Sequence, residues 1–229
     1  MSLDQAMRLT EIMLALAFLQ QSVEHLIAGR REIMLFAPRM ALCVLLLIGV
    51  QAPLVCLGLS ALALAILKRF NGPYNGGSDR MSLLILFSLT LAEFMPNQRL
   101  QEYVFGYLAL QLVLSYFISG YVKVVNPQWR SGRALQDVFE FSAYPVSEGL
   151  RQWAKHPRIL WAASWGVISF ELVFPLTIFS QPGLIIGLIV AGSFHFSNAC
   201  FFGLNRFFWI WLCAYPSILW LQDRAFVFA

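Results

Sequence analysis

Long apolar runs separated by short polar or Pro/Gly breaks dominate the chain. They cover 7–28, 33–50, 53–67, 81–95, 102–122, 159–180, 183–202 and 206–221. Runs near 20 residues match the roughly 30 Å hydrocarbon core of a bilayer. In lipid they must be helices, because an open strand edge could not satisfy its backbone groups there. Pro53 leaves one boundary open: it either kinks a single long helix or separates two. The pattern therefore predicts an all-α, polytopic membrane bundle with seven or eight transmembrane helices. With no internal repeat or low-complexity segment in sight, it reads as one domain over 1–229.

Composition agrees with that class. Apolar residues make up 59% of the chain and charged residues 12%, with a mean hydropathy of +0.68, whereas a soluble domain carries about 25% charged residues. The first 28 residues lack a basic start and carry Asp4, Glu11 and Glu24, unlike a cleaved signal peptide. Cys43, Cys56, Cys200 and Cys213 lie in apolar stretches and form no CxxC, so they read as packed thiols. The three histidines, His25, His156 and His195, show no metal-binding spacing. The net charge of +4 comes from residues flanking the runs, which argues for a lipid bilayer partner and no nucleic acid.

Those flanking charges also set a topology. With eight spans, one side collects Arg30, Arg31, Arg39, Lys68, Arg69, Arg80, Lys123, Arg130, Arg133, Arg151, Lys155, Arg158 and Arg206. The other keeps Arg8, Arg99 and Arg224. Seven spans weaken the bias and move the N-terminus inside. Both counts put the loop 124–157 on the basic, cytoplasmic side. Trp129, Phe139, Tyr144 and Trp153 among its charges suit the headgroup interface, with an amphipathic surface helix over Arg133–Phe141.

Ionisable groups inside such runs need a reason. Lys123 closes an apolar helix, with Tyr116, Ser119 and Gly120 on its face. Burying an ammonium at a helix centre costs roughly 2.5–3.5 kcal/mol on insertion scales. Lys123 therefore either snorkels to the headgroups, pairs with an acid, or performs chemistry. Glu171 lies deep in its run and is either protonated, paired with a cation such as Lys123, or functional. His195 and Asn198, three apart, share a face, and Gly192 and Ser193 beside them would allow close helix approach. A lone histidine more commonly bonds across to a neighbouring helix. Glu24, His25 and Glu93 sit near run ends and read as interfacial or structural. In the loop 70–80, Asn71-Gly72-Pro73 and Asn75-Gly76-Gly77 supply two turns. Ser78 or Asp79 then caps a helix starting at Arg80 or Met81.

Three motifs, in order, carry a resemblance. Gly120-x-x-Lys123 followed by Trp129 and Gly132 resembles the lysine segment of the vitamin K-dependent γ-carboxylase. Tyr74 to Leu83 resembles the polar turn that precedes it, and Ser193-Phe-His195-Phe-Ser-Asn198 with Phe202-Gly203 resembles its later histidine helix. Over about 70–216 the chain thus resembles the bacterial horizontally transferred transmembrane-helix family, whose members are carboxylase-like membrane domains. The resemblance implies Lys123 as a base toward a quinol cofactor. It places Asp79 where the carboxylase has a histidine and Glu171 where the family tends to have an acid. His195 and Asn198, with Ser78, Tyr116 and Trp129, would line the same cavity. An amine in an apolar pocket gives up its proton more readily than one in water, as a base requires.

Two function classes follow. One is quinol-linked proton-abstraction chemistry on a lipid or peptide, carboxylase- or lyase-like, in the bacterial cytoplasmic membrane. The other is a non-enzymatic membrane partner that matures, anchors or exports a secreted peptide or another protein. The carboxylase recognises its substrate through a domain after its membrane part, and this sequence ends at Ala229. A second protein subunit supplying that recognition is therefore expected. A carrier fits less well, because no inverted repeat with broken spans is evident.

Overall fold

A computed structural model describes residues 1–29, 32–70, 76–142 and 146–226. Ten α-helices follow one another in it: α1 (Leu3–Ala28), α2 (Ile33–Ile48), α3 (Ala52–Arg69), α4 (Gly76–Phe94), α5 (Gln98–Val125), α6 (Pro127–Arg130), α7 (Arg133–Phe141), α8 (Pro157–Val173), α9 (Gln181–Phe202) and α10 (Asn205–Phe226). Two 3-10 segments, Glu148–Lys155 and Phe174–Phe179, flank α8. No strand occurs among the described residues.

Among the described residues, four elements are long and apolar enough to cross a bilayer: α3, α5, α8 with its 3-10 extension, and α9. Their outer faces are apolar too. In α9, Ile185, Ile186, Ile189 and Val190 are all exposed, the arrangement expected of a helix whose solvent is lipid.

Pro53 does not kink a single helix. Gly49 (φ 77°) and Gln51 (φ 48°) turn the chain between α2 and α3, and Pro53 sits in the first turn of α3, where its missing N–H costs nothing. The helix over 76–94 also starts earlier than expected. Gly76 and Gly77 are already helical, so Ser78 and Asp79 lie inside the first turn of α4 and do not cap it. Asp79 there still complements the positive end of the helix dipole. The proposed turns over 71–75, Arg30, Arg31 and Tyr144 fall outside the described residues.

The helices form two compact units, 1–109 with 209–229, and 110–208. In the first, Arg8 of α1 reaches the end of α2. Its guanidinium donates to the carbonyls of Leu46 and Leu47 at 2.7 and 2.6 Å, and to Glu11 at 2.8 Å. Those carbonyls belong to the last turn of a helix, where intrahelical donors run out; that of Leu46 also accepts from the Gly49 N–H at 3.1 Å. Arg8→Ala is expected to cost about 1–3 kcal/mol by leaving the Leu47 carbonyl and the buried Glu11 poorly satisfied, checked by unfolding of the purified protein in micelles. Glu102 meets Arg224, and the N-terminal amine meets Asp223.

Arg39 departs from the charge count. It is buried within α2, donating to Gln21 at 2.7 Å with its guanidinium 3.8 Å from the Phe18 ring centre. It packs in the interior instead of flanking a span. Cysteines 43, 56 and 213 are buried thiols, whereas Cys200 is exposed on α9.

The second unit contains the surface helix, α7, with the limits its amphipathic pattern predicts. Phe139 of α7, Ala154 and Leu160 form a small core, against which Leu135 and Phe202 pack. Arg151 ties the segment together, donating to the Glu140 and Ser142 carbonyls and to Glu148.

Candidate functional site

The site in the second unit starts from one face of α5. Leu112, Tyr116 and Gly120 are buried at a spacing of four, while Phe117, Ile118, Tyr121 and Val122 are exposed. Lys123 continues the inward face one turn beyond Gly120.

Gly120 is what lets α8 come close. A Cβ there would lie 2.9 Å from the Glu171 Cβ, 2.9 Å from the Leu172 backbone nitrogen and 3.0 Å from Leu172 Cγ. The absence of a side chain therefore brings Glu171 one turn away from Lys123. The Lys123 ammonium donates to both carboxylate oxygens, at 2.7 and 2.6 Å. The Glu171 side chain is 3% exposed and that of Lys123 16%. Lys123 is thus paired, and it does not snorkel. Four residues after Glu171, Pro175 has no N–H to give the Glu171 carbonyl, and the helix tightens there to 3-10 geometry.

Trp129 completes this end. The Lys123 Nζ lies 5.3 Å from its ring centre, within cation–π range. The short helix α6, capped by Asn126, is fastened to α8. The Ser164 hydroxyl donates to the Trp129 carbonyl at 2.6 Å and the Trp165 indole to the Arg130 carbonyl at 3.1 Å. Gly132 then turns the chain at φ 79° against Trp161, where a Cβ would sit 2.7 Å from the Trp161 Cα. The three residues Gly120, Trp129 and Gly132 that accompany Lys123 in the sequence all serve one junction between α5 and α8.

Two turns up the same face, the Tyr116 hydroxyl and His195 Nε2 share a 2.8 Å hydrogen bond. About 10 Å of helix axis separates Tyr116 from Lys123 at 1.5 Å per residue. Phe170 and Phe174 pack on Tyr116, and Phe194 and Phe207 on His195, with ring centres 4.3–5.7 Å apart. His195 is buried, while Asn198, one turn along α9, is half-buried. Gly192 does not mediate a close approach: nothing lies within 4 Å of where its Cβ would be, and Ser193 is exposed.

Of the residues singled out in the sequence, the fold brings together Lys123, Glu171 and Trp129, and separately Tyr116 and His195. Ser78 and Asp79 belong to α4 of the first unit. The junction also uses Ser164 and Trp165, which sequence reasoning missed. A serine in the apolar stretch that follows Arg158 in α8 was the available signal.

A family model for the HTTM domain matches residues 88–222, more than half of the chain. The chain belongs to the HTTM domain family. This domain type is found in the membrane region of vitamin K-dependent gamma-carboxylase, and the chain is an integral membrane protein of that carboxylase-associated family. The HTTM match contains α5 to α9 entire, with Lys123, Glu171 and His195. It begins after Ser78 and Asp79, so the resemblance noted for 74–83 lies outside it. Comparison with curated proteins and with solved structures gave no match.

Proposed function

We propose that this HTTM protein crosses the bacterial cytoplasmic membrane eight times, with the loop 124–157 cytoplasmic, and carries out quinol-linked proton abstraction at Lys123. The distinct helices α2 and α3 support the count of eight. The observation that carries the chemistry is the two-oxygen contact between Lys123 and Glu171 inside an apolar bundle.

Low dielectric penalises two separated charges, so a proton can pass from the ammonium to the carboxylate at modest cost. Glu171 then holds the proton as a carboxylic acid, and Lys123 is left as an uncharged amine able to take another from a substrate hydroxyl. Trp129 favours the charged lysine between turnovers. The aromatic walls around Tyr116 and His195, with one hydroxyl and one imidazole, suit a flat ring carrying oxygen. When bound, a quinol would supply an acidic hydroxyl and reducing electrons. Asn198 would orient such a ring from α9.

The test is quinol-dependent oxygen uptake and retained quinone in purified wild type, Lys123→Ala and His195→Ala. We expect uptake in wild type, a loss of at least 100-fold in Lys123→Ala and reduced quinone retention in His195→Ala. Equal behaviour of all three proteins contradicts the reading. A membrane partner for another protein, the second reading, is favoured by one feature: Glu171 fully matches the Lys123 charge and packs on Gly120, as a purely structural lock would.

A further inference from the structure

The segment after Lys123 presents a surface that the chemistry above does not use. On α7 the core-facing residues Leu135 and Phe139 occupy only part of the apolar face. Val138 and Phe141 are 38% and 67% exposed, and beyond α7 so are Val146 and Trp153, at 59% and 43%. A polar solvent would leave this rim unexplained, whereas it is what an element lying in the headgroup region exposes.

The charges beside the rim fall into two groups. Arg133 is paired with Asp137, and Arg151 with Glu148. Arg130, Lys155 and Arg158 are exposed, and no ion pair of theirs occurs among the described residues. The first turn of α8, where Arg158 sits, holds no acidic residue. Positive charge placed there opposes the helix dipole, so Arg158 does not serve its helix. Excess cations over an apolar rim complement a leaflet whose headgroups are anionic.

We infer that the α7 to α8 platform is a docking surface for anionic phospholipid, with Arg130, Lys155 and Arg158 contacting headgroup phosphates and Phe141 and Trp153 entering the acyl boundary. Since α6 carries Trp129 and is hydrogen-bonded to α8, lipid bound here presses on the elements that hold Lys123 and Glu171. Lipid binding itself does not depend on what Lys123 does.

The test is native mass spectrometry of the full chain released from nanodiscs made of equal phosphatidylglycerol and phosphatidylcholine with identical acyl chains. Each cation near the headgroup plane contributes about a fivefold preference. Wild type should retain phosphatidylglycerol at least fivefold over phosphatidylcholine, and R130Q/K155Q/R158Q should approach parity with an unchanged melting temperature. If the triple variant fails to fold, raising the salt on wild type must erode the preference instead, because surface charge contacts are screened. Parity in wild type, or a preference untouched by both substitution and salt, overturns the inference. So does binding of a polyglutamate peptide that the triple variant loses while lipid parity holds, which would give the face to an acidic protein.

Discussion

Glu171→Ala is expected to destabilise the folded protein by about 3–5 kcal/mol, the usual cost of removing one partner from a buried ion pair. Lys123 would keep its charge within a helix face that is only 16% exposed at its side chain, with one aromatic ring as partial compensation. The pair itself adds little net stability, because desolvating two charges offsets most of their attraction. Hence Lys123→Met combined with Glu171→Leu should unfold within about 1 kcal/mol of wild type. Denaturant unfolding in micelles, run as a double-mutant cycle, checks both values. A single variant as stable as wild type would mean that Lys123 finds water easily, and the buried pair would not exist as described.

Gly132→Ala should be nearly as costly, for a different reason. The left-handed backbone at φ 79° opposes any Cβ by about 1–2 kcal/mol. The added carbon would also press on the Trp161 Cα and nitrogen at 2.7 and 2.9 Å. Backbone atoms cannot rotate away, so overpacking adds about 1–3 kcal/mol. Relief requires α6 to withdraw from α8, which breaks the Ser164 and Trp165 hydrogen bonds. The expected signature is a lowered melting temperature together with changed tryptophan near-ultraviolet dichroism. Unchanged dichroism would show that the turn is not clamped there.

How much of this was legible depends on whether a feature is local. The limits of α7 followed from its own periodicity, since a short helix with polar residues on one side has one way to lie on a surface. Glycine decides two boundaries where the sequence also places proline and serine. Gly49 and the positive φ at Gln51 made the turn before Pro53, and helical Gly76 and Gly77 moved the start of α4. Arg39 was counted as a flank because a charge in an apolar run suggests an end. Its burial became visible only with Gln21 and Phe18 on the adjacent helix.

The site divides in the same way. Lys123 and Glu171 each stood out as an energetic anomaly, and their pairing was one of several open solutions. Gly120 selects it, because its missing side chain sets how near α8 can come. The bond between Tyr116 and His195 spans 79 residues, and no spacing within either helix signals it. Ser164 and Trp165 were silent for a similar reason: their partners are backbone carbonyls, which every sequence has.

The central claim is that Lys123 and Glu171 move a proton and do more than fasten α5 to α8. Exchanging them, with Lys123→Glu and Glu171→Lys in one protein, keeps the charges paired while reversing which helix bears the amine. The measurement is quinol-dependent oxygen uptake by this folded double variant beside wild type. A melting temperature near that of wild type with uptake lowered at least 100-fold is the predicted result. Uptake at the wild-type rate, or none from wild type itself, would contradict the claim and leave the pair a structural lock.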